Sequence, residues 1–260
     1  MISTPEDRRI FQNLLRITGH QKGSAASSGE LVIAAGIQFL GTPYVSNTLE
    51  QKNREKLVIN LRQLDCFTFV ENTVVLAGLI KAGTASFSDF AASLKKFRYR
   101  KGLLGGYSSR LHYFSDWLYD NQEKGIIKDI TWAAGGEPFS KEINFMTSNR
   151  DKYPALKCED EFVRMLAMEK TCSTRVLYHI SKTGLKVCVD KIKHGDIIAI
   201  TTNVEGLDII HAGFGIYLKN NLHLLHASRR AGKVIVSEET LHRYLVKRKT
   251  RSGVMIGRVL

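Results

Sequence analysis

Leu64-Asp65-Cys66-Phe67-Thr68-Phe69-Val70-Glu71 is the stretch on which the reading of this chain turns. An extended apolar approach, Leu57 to Leu64, gives way here to a helix predicted to run to about Lys81, with Cys66 at the changeover. A thiol in that place sits at the positive end of the helix macrodipole, which favours the nucleophilic thiolate. The helix carries Phe67, Val70, Val74 and Leu76 to Leu79 and stops at Gly83, so it is expected to be buried on more than one side. A cysteine taken alone is more often a small buried apolar residue than a nucleophile, and Cys158, Cys172 and Cys188 take that reading.

Upstream of this stretch, Thr4-Pro5-Glu6-Asp7 signals a helix start, with Ile10, Leu14 and Ile17 at helical spacing and Gly19 as the expected stop. Gly23 to Gly29 reads as a linker. Glu30 to Leu40 reads as a second helix, Gly41 to Val45 as a turn and extended piece, and 46–56 as a polar loop. Downstream, Ser86-Phe87-Ser88-Asp89 caps a further helix. Leu111, Phe114 and Leu118 mark another, 130–157 reads as loop, and Glu159 to Lys170 as helix. From Arg175 the pattern becomes short strands: Val176–Ile180, Lys186–Val189, Asp196–Thr201, Ile209–Leu218, Leu222–Ala227, Lys233–Val236 and Val254–Leu260, with a short helix capped at Ser237-Glu238-Glu239-Thr240. Helices first and strands afterwards predict an α+β fold with an antiparallel sheet.

The chain has 260 residues, 43% of them hydrophobic, enough to bury a sizeable core. Its formal charge of +13 calls for an anionic partner or medium: nucleic acid, a membrane surface, or a carboxylate-bearing cell wall. No nucleic-acid motif accompanies the basic clusters at 95–101 and 247–251, which argues against nucleic acid. Four cysteines without a C-x-x-C pair make neither a disulfide framework nor a zinc site, and no metal or cofactor is called for. No run reaches the ~18 apolar residues of a membrane span. The opening Met-Ile-Ser-Thr-Pro-Glu-Asp-Arg-Arg lacks the layout of a secretory signal, so either the protein is cytoplasmic or a leader was removed.

A cysteine nucleophile needs a histidine to take its proton and a third polar group to orient that histidine. His211 and His226 fall on two consecutive predicted strands, which gives papain-like logic: a helix-borne thiol facing a sheet-borne base. A tight turn centred on Asn220-Asn221 would pair Gly215 with His226 and Tyr217 with Leu224. That register keeps His211 and His226 on one face but offsets them by four residues, roughly 13 Å at ~3.3 Å per residue. It leaves Ser228 nearer to His211, so His226 and Ser228 both stand as candidates for the third position. His223 and His226 face opposite sides of a strand, which argues against a chelate. His20, His112, His179, His194 and His242 read as surface or hydrogen-bonded structural residues.

Gly41-Thr42-Pro43-Tyr44, Asp65-Cys66, His194-Gly195-Asp196-Ile197-Ile198, His211-Ala212-Gly213-Phe214-Gly215-Ile216-Tyr217 and Leu225-His226-Ala227 follow one order across residues 41–227. Together they resemble the NlpC/p60 papain-like cell-wall cysteine hydrolases. The Asp-Cys-Phe-Thr-Phe-Val-Glu form, with a long helical insert at about 84–170, is similar to the N-acetylmuramoyl-L-alanine amidase-like branch. The resemblance implies one catalytic domain over residues 1–260, with Cys66 as nucleophile, His211 as base and His226 as the orienting member. It also implies that Tyr44 helps hold the oxyanion and that Asp65 lies beside the nucleophile. In an amidase the L-alanine nitrogen is not a free amine, so Asp65 is left between a substrate-binding and a structural role. The family's usual D-C-S-G is D-C-F-T here, which predicts a remodelled pocket at Phe67-Thr68. Arg229 and Arg230 are candidates for a substrate carboxylate or are simply an exposed strand end.

The expected activity is a cysteine-dependent amidase cutting N-acetylmuramoyl–L-alanine in peptidoglycan or muropeptides through a thioester. The alternatives are a γ-D-glutamyl–diamino acid endopeptidase and a non-catalytic wall-binding module. A monomer is expected, working in the periplasm or cell envelope, with the cytoplasm as the alternative.

Overall fold

The computed structural model describes every residue except 23–25, 52–53 and 85, without the side chains of residues 20–22. The expected 23–29 linker and 46–56 loop, and the side chain of His20, therefore lie partly or wholly outside the described residues. The layout is mixed, with α-helices leading and an eight-stranded sheet assembled mainly from the C-terminal part. Every strand pair in that sheet is antiparallel.

Helix α1 (Pro5–Lys22) starts as its residues predict, with Thr4 Oγ1 accepting from Asp7 N and Thr4 N donating to Asp7 Oδ2. It runs past Gly19 rather than stopping there. Helix α2 (Ser28–Ile37) carries a reciprocal cap between Ser27 and Glu30. Helix α3 (Cys66–Ala82) begins at the cysteine and ends at Gly83, whose φ of 68° supplies the left-handed residue that closes it. Its residues from Thr68 to Ala77 are all buried, because α1, α2 and α4 (Phe87–Arg98) wrap it on one side and the sheet covers the other. Phe69 is the hinge of that packing, set edge-on to Phe39 at 6.0 Å and to Phe214 at 5.5 Å. Arg98 and Glu71, both buried, tie α4 to α3 through a 2.7 Å ion pair, and Arg98 also donates to Val58 O.

Residues 87–173 are not purely helical. Besides α4, α5 (Phe114–Glu123), the single turn α6 (Phe145–Ser148) and α7 (Glu159–Ser173), they contain β1 (Ile127–Asp129) and β2 (Glu137–Pro138), which join the sheet. The stretch has its own small core of Tyr107, Tyr113, Met146, Leu156, Met165 and Cys172. Cys188 is half-buried and Cys158 is exposed at the start of α7, so the buried apolar reading fits Cys172 only.

The sheet continues with β3 (Tyr178–Ser181), β4 (Ile197–Thr202), β5 (Ile209–Leu218), β6 (Asn221–Ser228), β7 (Lys233–Thr240) and β8 (Arg251–Val259), in the order β2-β3-β8-β4-β5-β6-β7, with β1 also on β8. Strand β4 is buried at every position, which explains its unbroken apolar run: Ile197 and Ala199 face the α3 core, while Ile198 and Ile200 face the opposite layer. That opposite layer is closed by Leu185 and by Leu241 and Leu245 of α9 (Leu241–Val246). Two expectations fail here. Leu185–Cys188 is a helical turn, α8, rather than a strand. The 233–236 strand runs on to Thr240, which itself caps α9, so Ser237 is a strand residue and not the cap.

Candidate active site

Asp65 is the N-cap of α3. Its Oδ1 accepts from Phe67 N and Thr68 N, and from Thr68 Oγ1, while Thr68 Oγ1 accepts from Asp65 N. Thr68 is thus the reciprocal partner of a capping box, which gives the unusual D-C-F-T form a local reason. Phe67 has a tertiary reason. Its ring lies 5.4 Å from Trp117 and 6.2 Å from Phe114, both on α5, so the 87–173 stretch is anchored beside Cys66.

The cysteine is partly buried in the first turn, and the backbone N–H of Ala212 on β5 approaches its sulfur. Burial pushes the Cys66 thiol up to about 12, with the neighbouring Asp65 carboxylate adding to the rise; the N–H groups of Ala212, Cys66 and Phe67 oppose it. The thiol is therefore protonated at neutral pH, whereas helix position alone predicts thiolate. Desolvation outweighs the macrodipole here.

The hairpin of β5 and β6 decides the histidines. Its register pairs Gly215 with Leu224, Tyr217 with Leu222 and Leu218 with Asn221, not Gly215 with His226 as a turn at Asn220-Asn221 predicts. The turn residues are Lys219 and Asn220, both left-handed at φ 46° and 65°. Moving the turn by one residue slides the pairing by two, so His226 comes opposite Gly213 and only two residues from His211. Gly213 makes the approach possible: a Cβ there would stand 2.8 Å from His226 Cβ and 2.6 Å from Leu225 O. A bulge on β5, where Ile200 pairs with His211 but Thr201 pairs with Ile209, adjusts the strand right beside His211.

His211 Nε2 and His226 Nδ1 are consequently 2.6 Å apart, with the rings edge-to-face at 4.8 Å. Burial pushes His211 well below the usual imidazole range, helped by His226 and Arg251. Burial, then Arg251, pushes His226 down to about 4. Both rings are neutral at pH 7, so one nitrogen of the pair donates and the other accepts. Ser228, the other candidate for the third position, has its hydroxyl in the turn after β6, accepting from Ala231 N.

Tyr44 is half-buried on a short bridge to Leu64, and its N donates to Gly232 O. Burial pushes its phenol up to about 12, with Cys66 and Asp65 adding and Arg229 opposing, which places Tyr44 among those three residues as a protonated donor. Arg229 and Arg230 are exposed at the end of β6. Beside Asp65 and Phe67 opens a cleft of about 250 Å³. Its wall from the 87–173 stretch includes Tyr107, Arg110, Tyr113 and Tyr153, with the Arg110–Glu50 pair and buried Glu71 beneath.

Four of the other histidines have structural partners: His112 with Tyr107 O, His179 with Thr201 Oγ1, His194 with Tyr217 N and His223 with Ser237 O. Among the described residues, no three His, Cys, Asp or Glu groups converge as metal ligands would. No described helix is long and apolar enough to cross a membrane. The sequence marks Arg251 only as part of a basic cluster and Tyr244 not at all, yet the Tyr244 ring lies 5.5 Å from His226 and 6.2 Å from His211, with the Arg251 guanidinium 3.8 Å above it.

The model of the AmiA-like family, described as N-acetylmuramoyl-L-alanine amidase-like, matches residues 34–254. The chain belongs to that family. An N-acetylmuramoyl-L-alanine amidase from Bacteroides uniformis is 35% identical, with a TM-score of 0.86 over 90% of this AmiA-like chain and 100% of its own. A Bacteroides fragilis protein named as a candidate xylanase is 37% identical, with a TM-score of 0.82 over 86% and 99%. A Legionella pneumophila protein, 24% identical with a TM-score of 0.70 over 98% and 93%, shares the fold. No curated protein matches this AmiA-like chain. The matches support an amidase-like enzyme of the cell-wall hydrolase class with a mixed helix and antiparallel-sheet fold.

Proposed function

We propose that this protein is a cysteine amidase that hydrolyses the N-acetylmuramoyl–L-alanine bond of peptidoglycan or its fragments, built on papain-like NlpC/p60 logic. The observation that carries the reading is the 2.6 Å His211–His226 contact, on the strand whose Ala212 N–H reaches the Cys66 sulfur. Cys66 sulfur attacks the lactyl carbonyl carbon as its proton passes to His211, whose Nε2 side is held by His226. The tetrahedral oxyanion takes hydrogen bonds from the Cys66 backbone N–H and the Tyr44 hydroxyl, donors of a kind worth about 3 kcal/mol each. The C–N bond then breaks, His211 returns the proton to the alanine nitrogen, and the stem peptide leaves. Water, deprotonated by His211, cleaves the thioester and regenerates the thiol.

Because both Cys66 and His211 rest neutral, the reaction runs by general-base transfer during attack rather than from a standing thiolate. The cleft beside Phe67 leaves room for an acyl part next to the thiol, with half-buried Tyr153 at its wall. The charge of +13 favours anionic stem peptides. A glycosidase, as the Bacteroides fragilis name suggests, calls for two carboxylates across a glycosidic bond; a thiol with two imidazoles favours acyl transfer. In this reading residues 1–260 act as one catalytic domain, monomeric, in the periplasm or cell envelope.

Mass analysis of muropeptides incubated with the protein tests the proposal. Intact stem peptides with a free N-terminal alanine are expected, and none with Cys66→Ala. Cleavage between D-glutamate and the diamino acid identifies an endopeptidase instead, and unchanged substrate with unselective thiol labelling identifies a binding module.

A further inference from the structure

His226 Nε2 is buried and has no hydrogen-bond partner among the described residues. Its ring instead stands edge-to-face with Tyr244, at an interplanar angle of 78°. Tyr244 comes from α9 and Arg251 from the start of β8, and Arg251 both stacks on the Tyr244 ring and donates to Tyr244 O. The two residues form a wall beside the histidine pair, the Tyr244 ring 5.5 Å from His226 and the Arg251 guanidinium 3.8 Å from that ring. A polar nitrogen closed in by an aromatic ring and a guanidinium has an environment hostile to an added proton.

We propose that Tyr244 and Arg251 are positioning residues that confine the mobile proton to His211. The proposal rests on the amidase reading above for its role in turnover, though not for its test. When His211 takes the Cys66 proton on Nδ1, its Nε2–H points along the short bond to His226 Nδ1. If that second proton crossed the bond, His226 would become the cation and His211 would be left neutral, with no proton lost from the pair. The leaving amine then has a weaker acid beside it. Such a crossing puts a positive charge on the buried His226 ring, where water is excluded and the Arg251 guanidinium acts against it. Confinement keeps His226 as the neutral Nε2–H tautomer, a fixed acceptor at Nδ1.

The charged and titratable groups around the pair come from every packed element. Cys66 and Asp65 stand at the start of α3, Tyr244 on α9 and Arg251 on β8. Glu239 at the end of β7, paired with Lys247, and Arg248 act on Tyr244 and Arg251. Of these, Arg251 is the one that acts on both imidazoles.

Histidine titration by nuclear magnetic resonance of the whole protein tests the proposal without any substrate. In Arg251→Gln the His226 midpoint is expected to rise by roughly one pH unit, and in Arg251→Lys to return most of the way. The nitrogen shifts of His226 are expected to report the Nε2–H tautomer in the wild type. In parallel, the acid limb of kcat/KM should move to higher pH in Arg251→Gln, with kcat falling more than KM rises. Tyr244→Leu covers the case in which loss of Arg251 unfolds the start of β8; it should raise the same midpoint by opening His226 to water. Unmoved histidine midpoints in both folded variants, or an Nδ1–H tautomer at His226, overturn the proposal. Moved midpoints with no amidase activity leave the wall in place and count against the amidase reading alone.

Discussion

His211 and His226 stand 15 positions apart in the chain, yet the hairpin between them brings Nε2 of one within 2.6 Å of Nδ1 of the other. A bond of that length fixes which way the His211 ring faces. His226→Ala is expected to lower kcat by roughly 10²-fold or more with little change in KM. His226→Asn, which offers an amide oxygen in place of Nδ1, should recover part of the loss. Steady-state kinetics on a defined muropeptide, with Cys66→Ala as the blank, checks this. Equal activity in His226→Ala and wild type counts against His226 as the orienting member.

Gly213 is opposite His226 because no side chain fits there. Gly213→Ala is expected to push His226 off its bond and cost about 1–3 kcal/mol of stability, as overpacked positions do. Denaturant unfolding and kcat should fall together. Gly19, whose surroundings are open, provides the control: Gly19→Ala in helix α1 should hold or gain stability.

The carboxylate of Asp65 can be separated from its cap. Asp65→Asn keeps a cap acceptor and should fold nearly as stably as wild type, while Asp65→Ala should lose about 1 kcal/mol. Both remove a negative charge beside Cys66, so the thiol is expected to titrate lower in both, followed by ultraviolet absorbance of the thiolate. A thiol that titrates unchanged in both variants contradicts the role of Asp65 in raising it.

Acid stability follows from the histidines. The folded site pushes His226 down to about 4, whereas the unfolded ring titrates near 6.5. Between those values the unfolded chain binds a proton that the folded site refuses. Stability is therefore full above pH ~6.5 and falls as pH drops toward 4, by about 3 kcal/mol for this ring, with His211 acting in the same direction. Denaturation midpoints measured across that range should decline, and less steeply in His226→Leu.

Much of this was legible in the residues themselves. Asp65-Cys66 with Thr68 spells a cap, and Gly83 spells a stop; both act within a few residues of where they are written. Strand β5 appears at Ile209–Leu218, the span its sequence predicts. The misreadings have local causes too. Asn220-Asn221 looks like a turn pair, but the left-handed residues are Lys219 and Asn220, and a shift of one residue turned a four-residue offset into two. The short run Lys186–Val189 predicts a strand, but Leu185–Cys188 forms a helical turn whose Leu185 fills the same buried layer as Ile180.

The sequence by itself determined that a cysteine opens a buried helix and that two histidines share one face of a hairpin, because capping and alternation are properties of neighbouring residues. Only the tertiary structure decided that the thiol rests protonated, that the imidazoles meet, and that Tyr244 and Arg251 stand beside them. Those outcomes depend on desolvation and on distances between segments far apart in the chain, from Cys66 on α3 to Arg251 on β8, and nothing local in the chain encodes them.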